Sequence, residues 1–214
     1  MPRIIETTVY EIEELSAEAK DKARAWYRDT GLHDDWHDCV YEDFETICGI
    51  LGVTLRTSPV RLYAGGVRQK PHVFFRGFHS QGDGASFEGS WSHARGSVRA
   101  IRAHAPRDGK LHRIAHVLQD VQRRNFYQLH ARIRQNGHYC HENTMTIAIE
   151  REGAFRQSMT DDAEAAVVEA LRDLARWLYR QLECEYTHIT SDEAVDEMIA
   201  INMLTFTAGG ERFG

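Results

Sequence analysis

Hydrophobic residues recur along this chain with two different periods. From Ile4 to Ile12 the side chains alternate, Ile4, Glu6, Thr8, Tyr10 and Ile12 against Ile5, Thr7, Val9 and Glu11, which predicts a strand. The period then lengthens. Ser16 stands before Ala17-Glu18-Ala19-Lys20, where its hydroxyl can accept from a free first-turn amide. A helix is expected from there to about Asp29, with Gly31 as a left-handed stop. Trp36, Val40, Phe44, Ile47 and Leu51 fall at helical steps and form one stripe of a second helix, from about Asp34 to Leu51, ended by Gly52. Short strands are expected from Val53 to Thr57 and from Val60 to Tyr63, the second bounded by Pro59 and Gly65-Gly66. Val73 to His79 and Ala85 to His93 read as a hairpin with a long tip.

Helices are expected from Arg95 to His104, stopped before Pro106, and from Asp108 to about Arg123. A further hairpin spans Asn125 to Glu150 around Asn136-Gly137. Tyr127, Leu129, Ala131 and Ile133 share one face of its first strand, and Tyr139, Met145, Ile147 and Ile149 one face of its second. A two-residue turn would pair Gln135 with His138 and set these faces against each other. A three-residue loop, Gln135-Asn136-Gly137, pairs Ile133 with Tyr139 and makes them agree, with Gly137 left-handed. The longest helix is expected from about Asp161 to Glu183, capped by Thr160, with Leu171, Leu174, Trp177 and Leu178 on its apolar face. Thr190 with Glu193 predicts a capping box for a last helix, and Leu204 to Thr207 a closing strand. The expected fold is α+β: one domain over residues 1–214, with an antiparallel sheet packed by amphipathic helices.

Composition narrows the class. At 42 % hydrophobic residues in 214, the chain can bury a core. No run of 18 apolar residues predicts a membrane span, and no apolar h-region predicts a signal peptide. The four cysteines, Cys39, Cys48, Cys140 and Cys184, form no CxxC pair, so a reducing cytoplasm is expected, without disulfides or a zinc ribbon. The net charge of −6 is unevenly spread: residues 1–50 carry −8, residues 51–140 carry +11 and residues 141–214 carry −9. A basic middle between acidic ends suits a nucleic-acid surface, or acidic helices packed beside a basic sheet.

Three groups of residues could carry chemistry. In Gly77 to Gly89, the residues Ser80, Gln81, Gly82, Asp83 and Gly84 form a glycine-rich tip whose backbone amides could face a ligand. Asp83, Ser86 and Glu88 would be its oxygen donors. The same tip can be a tight turn whose polar side chains bond their own backbone. Neither an EF-hand nor a Walker A pattern is present. Arg123, Arg124, His130, Arg132 and Arg134 form a basic strip with Phe126 and Tyr127 inside it, suited to phosphates and stacked bases. A half-exposed strand would show the same alternation. Among twelve histidines, His33 with His37 and His112 with His116 have helical i, i+4 spacing, and His138, Cys140 and His141 cluster. None has a complete ligand set, so no metal and no cofactor is expected. Nothing places a base beside Cys140 to make it a nucleophile.

Several segments together resemble a family of phage and prophage proteins labelled "antitoxin of toxin–antitoxin stability system". They are Glu14-Leu15-Ser16, Ala23-Arg24-Ala25-Trp26-Tyr27, Val40-Tyr41-Glu42-Asp43, the run Ser80 to Gly89, Gln122-Arg123-Arg124-Asn125-Phe126-Tyr127-Gln128-Leu129, and Leu182-Glu183 onward to Thr190 through Val195. The ending Phe206 to Phe213 departs from the more acidic one of that family. The resemblance implies a phage-encoded, non-catalytic binding protein that neutralises a host or rival protein complex by stoichiometric contact. It would be antitoxin-like or an anti-defence inhibitor such as an anti-CRISPR protein, acting in the host cytoplasm with no membrane partner. Acidic ends would suit a basic, nucleic-acid-binding partner. Direct nucleic-acid binding through residues 51–140 is the second expectation, and an enzyme or metal site at the Gly-Asp-Gly loop the third.

Overall fold

A computed structural model describes residues 3, 6–32, 35–63, 65–153 and 158–214. Helices α1 (Ala17–Thr30) and α2 (Asp38–Leu51) lead into six short strands: β1 (Val53–Leu55), β2 (Thr57–Arg61), β3 (Val67–Pro71), β4 (Val73–Arg76), β5 (Gly84–Phe87) and β6 (Gly89–Trp91). Two helices follow, α3 (Ser97–His104) and α4 (Gly109–Arg124), then strands β7 (Leu129–Gln135) and β8 (Met145–Arg151). The long α5 (Ala163–Ile189), α6 (Asp192–Ile201), β9 (Thr205–Phe206) and β10 (Arg212–Phe213) complete the order. The class is α+β, with antiparallel sheets and helices packed against strands. No helix among the described residues is long and apolar enough to cross a membrane. The contacts divide the chain into two compact units, residues 1–38 with 184–214, and residues 39–183.

In the unit of residues 39–183 the main sheet has the order β1-β6-β7-β8, all antiparallel. Its inner face carries Val53, Trp91, Leu129, Ala131, Ile133, Met145 and Ile147, all buried. The buried faces of α2 (Phe44, Ile47, Leu51), α4 (Leu111, Ile114, Ala115, Leu118) and α5 (Val167, Leu171, Leu174, Leu178) complete this core. Phe44 meets Phe87 edge-on at 5.5 Å, and the Trp91 indole donates to the Leu51 carbonyl at 3.1 Å. Asp108 caps α4 through the amides of Lys110 and Leu111, and its other oxygen accepts from the Trp177 indole at 2.7 Å. One carboxylate thus ties the start of α4 to the middle of α5.

In the other unit, Ser16 caps α1 as expected, accepting from Ala19. Ile12, Leu15, Ala19, Ala23, Tyr27, Val195, Ile199 and Phe206 form its core. The Arg24 guanidinium grips Asp196 with two bonds, at 2.7 and 2.6 Å, and reaches Asp192 at 2.8 Å, joining α1 to α6.

Several expectations are corrected. No strand forms over the described residues of Ile4 to Ile12. Only Tyr10 pairs, with Phe206, because β9 is two residues long and offers no ladder to extend. Ile12 instead turns into a 3₁₀ segment and its side chain enters the core. Ile4, Ile5, His33 and Asp34 lie outside the described residues. Gly31 is right-handed, and what favours glycine there is space: a Cβ would stand 2.6 Å from the Tyr27 ring. Trp36 precedes α2 and packs on Tyr186. Ser191, one residue beyond the expected Thr190, caps α6, while the Thr190 hydroxyl bonds back to Tyr186 O. Strands β3 and β10 were not expected, and α5 runs past Glu183 to Ile189.

The central hairpin departs furthest. Gln135 pairs with Met145 and Ile133 with Ile147, so neither the two- nor the three-residue turn exists. Residues 136–144 form one loop, closed by Asn136 N–H to Thr144 O at 3.0 Å. Face agreement repeats every two residues, so pairing Ile133 with Tyr139 or with Ile147 satisfies it equally. Gly137 is left-handed as expected, at φ +89°, and Tyr139 is an exposed loop residue.

Candidate functional site

Three strand pairs, β1–β6, β2–β3 and β4–β5, meet at single residues that belong to none of them: Arg56, His72 and Glu88. Their main chains close a ring. Arg56 N–H donates to Glu88 O at 2.9 Å, His72 N–H to Arg56 O at 2.7 Å and Glu88 N–H to His72 O at 2.9 Å. Three ladders diverging from one point would otherwise strand these polar groups, and the ring satisfies them. The side chains converge as well. Glu88 Oε2 accepts from His72 Nδ1 at 2.7 Å and from Arg56 Nη1 at 3.2 Å, and its Oε1 accepts from the Gln135 amide at 3.2 Å. Burial works to raise the Glu88 carboxyl. The bonds from His72 and Gln135 and the Arg56 charge outweigh it and leave it below its ordinary value. An ionised carboxylate only accepts, so Nδ1 carries a proton, and in the neutral imidazole Nε2 is then the acceptor. Ser58 Oγ lies 2.6 Å from that Nε2.

The glycine loop follows β4. The Asp83 carboxylate accepts from the amides of His79 (2.9 Å) and Ser80 (2.6 Å), the turn geometry in which side chain and backbone close on each other. Gly82 is left-handed, and a Cβ on it would collide with the Tyr139 ring. Gly84 is not left-handed: a Cβ there would press on His141 at 2.7 Å. Both glycines therefore make room for the loop of residues 136–144. Tyr179 of α5 steadies the other side, its ring 5.6 Å from Phe78 and its hydroxyl donating to Gly77 O at 3.3 Å. The three expected oxygen donors are not brought together. Ser86 is buried in β5 with its Oγ unpartnered among the described residues. Glu88 turns to the junction, about 16 Å from Asp83 along an extended chain. Gln81 and Ser80 are exposed at the tip.

The basic strip divides. Arg123 pairs with Asp120 at 3.1 Å, Arg124 with Asp162 at 2.6 Å, and His130 lies 3.6 Å from Glu152. Arg132 and Arg134 are exposed on the outer face of β7, with no ion pair among the described residues. Just before β7, Phe126 and Tyr127 are both left-handed, at φ +55° and +61°, and both exposed. Two buried amides hold them so. Gln122 bonds both N–H and C=O of Leu129, and Asn125 bonds Val121 O and both the amide and hydroxyl of Thr160. Two consecutive left-handed residues with side chains carry strain that persists only where surroundings enforce it. The Tyr127 ring packs on His93 at 4.5 Å, and the Arg151 guanidinium lies 5.5 Å over Phe126.

The pair His112 and His116 has other work, and His33 of the other pair lies outside the described residues. His112 Nε2 bonds Ala105 O at 2.8 Å, and His116 Nε2 faces Arg102 at 2.9 Å. Among the described residues no three His, Cys, Asp or Glu side chains are placed to hold a metal ion. Burial pushes up the thiols of Cys48 and Cys140, which disfavours the nucleophilic thiolate.

Residues 36–192 match the family model described as Domain of unknown function (DUF8835). The chain belongs to this family. No curated protein and no solved structure matches it. The DUF8835 match contains the junction, the glycine loop and the strip, and it covers all of the unit of residues 39–183.

Within that DUF8835 region, the sequence pointed to Glu88 for the wrong company and did not single out Ser58, His72 or Arg56. No local spacing signals them, since they are 14 and 16 residues apart and meet only through the strand junction. For Gln122 and Asn125 there was a signal: two amides flanking a helix end before a predicted strand.

Proposed function

We propose that this protein works by binding, and that its ligand is single-stranded nucleic acid laid along the outer face of β7. The observation that carries this reading is the exposed Phe126–Tyr127 pair, held left-handed by buried amides immediately before the strand that carries Arg132 and Arg134. Aromatic faces stack on bases without regard to sequence, and unpaired arginines take phosphates. From His130 past Arg132 to Arg134 the strand runs about 13 Å. The unit of residues 39–183 holds 20 Lys/Arg against 16 Asp/Glu, a balance of +4, which favours an anionic ligand. Fluorescence anisotropy with labelled single-stranded DNA and RNA tests it. Affinity should fall with salt, and the Arg132→Ala, Arg134→Ala double variant should weaken binding and flatten the salt slope. Removing either aromatic ring should cost about 1–3 kcal/mol. Flat titrations at low salt would end this reading.

A second reading is favoured by the other unit. Residues 1–38 with 184–214 hold 6 Lys/Arg against 16 Asp/Glu, a balance of −10. An acidic surface suits a basic, nucleic-acid-binding protein. With the resemblance to phage antitoxin-labelled proteins, this supports a stoichiometric inhibitor of a host or rival complex. Co-purification of such a complex from infected cells, lost on reversing the acidic charges, would favour it.

A further inference from the structure

The geometry points to Ser58 as the nucleophile of an ester-hydrolysing site, with His72 as its base and Glu88 as the residue that positions that base. The arrangement is a relay of two short hydrogen bonds, Ser58 Oγ to His72 Nε2 at 2.6 Å and His72 Nδ1 to Glu88 Oε2 at 2.7 Å. Each bond has the role that nucleophilic catalysis needs: carboxylate fixes tautomer, tautomer frees Nε2, and Nε2 faces a hydroxyl. The groups are sheltered without being sealed. The His72 and Glu88 side chains are 20 % and 13 % exposed, and Ser58 is half-buried at the start of the β2–β3 hairpin. The ring of main-chain bonds explains why Arg56, His72 and Glu88 meet. It does not require the Ser58 hydroxyl, since the Ser58 main chain belongs to the ladder opposite Lys70.

The following residue, Pro59, has no N–H to give to a developing oxyanion. Charge must serve in its place. Lys70 pairs directly with Ser58, and Arg68 pairs with Val60, so both cations lie on the Ser58 face of the hairpin. Arg56 adds a third, exposed cation beside Glu88. The substrate class that fits is a carboxylic ester bearing an anionic group. In the first step Ser58 Oγ attacks the carbonyl carbon and its proton passes to His72 Nε2. The bond to the leaving alcohol breaks, and His72 returns the proton to the departing oxygen. Water then attacks the acyl-Ser58, giving a proton to Nε2. The acyl–Oγ bond breaks, Oγ recovers the proton, and the acid leaves. The sum is ester plus water to acid plus alcohol. This activity rests on other residues than the binding surface of β7.

The test uses the full-length protein and a fluorophosphonate probe, whose P–F bond breaks as Ser58 Oγ bonds to phosphorus and fluoride leaves. Peptide mapping should find the adduct on Ser58 and lose it in Ser58→Ala. His72→Gln should slow labelling about a hundredfold or more, the usual scale for loss of a general base. Glu88→Gln should lower the maximal labelling rate while leaving the half-saturating probe concentration unchanged, a split that a merely structural role would not produce. Ser58→Cys guards against variants that fail to fold. Its new thiol should be alkylated by iodoacetamide at neutral pH at least about tenfold faster than the exposed Cys39 and Cys184 of the same molecule. No adduct on the folded protein, labelling indifferent to His72→Gln, or a thiol no faster than Cys39 would overturn the proposal.

Discussion

Asp83 shows what a single residue contributes when its side chain is engaged by its own backbone. Its carboxylate accepts from the amides of His79 and Ser80, inside a loop where Gly82 and Gly84 leave room for Tyr139 and His141. The amides belong to exposed residues and can turn to water when the acceptor is lost, so the penalty is below that of a buried pair. Asp83→Ala should lower stability by about 1 kcal/mol in urea unfolding, comparable to the loss of a helix cap, and Asp83→Asn should recover most of it. An unchanged midpoint in Asp83→Ala would return this loop to the candidates for a working surface. The same scale separates Ser86 from its neighbours. Seen in the sequence it is one more polar residue of a polar tip, yet it is fully buried.

At the scale of elements, α5 holds the unit of residues 39–183 together through one face. Val167, Leu171, Leu174 and Leu178 are fully buried, and Trp177 is 7 % exposed with its indole on the α4 cap residue Asp108. Trp177→Ala should cost about 3–5 kcal/mol, the range for deleting a large buried aromatic. Trp177→Phe keeps most of the packing and removes the hydrogen bond, so it should cost nearer 1 kcal/mol plus the volume change. Thermal melts of the pair separate the two contributions; equal midpoints for both variants would mean that the indole N–H dominates. The central hairpin teaches a different lesson. Its two faces were legible because alternation survives any even shift of register. Its loop was not, because what selects residues 136–144 is their contact with Gly82 and Gly84 of the glycine loop, far back in the sequence.

Across the whole molecule, charge is divided between the two units, −10 on one and +4 on the other. For a polyanionic ligand the charge of the acidic unit opposes binding. A segment of residues 39–183, checked first for a cooperative melt, should bind single-stranded nucleic acid several-fold more tightly than the full chain at about 50 mM salt. The difference should shrink by about 300 mM as the Debye length falls below about 10 Å. Weaker binding by the segment would mean that the acidic unit belongs to the ligand site, and would favour the reading in which a basic protein is the partner.

Helices and their buried faces were determined by the sequence itself, because a capping hydroxyl, an apolar stripe and a terminating glycine all act within a few residues of one another. The α+β class followed from the same local periods, and so did the outward placement of Arg132 and Arg134. Only the tertiary structure decided which strands pair, how long the central loop is, and where Glu88 points. Those outcomes depend on hydrogen bonds between residues 14 to 47 positions apart, and no local pattern encodes such a meeting. Arg56, His72 and Glu88 stand on three different strand connections and meet because three short ladders close their polar groups at one point, and Ser58 of β2 adjoins them through His72.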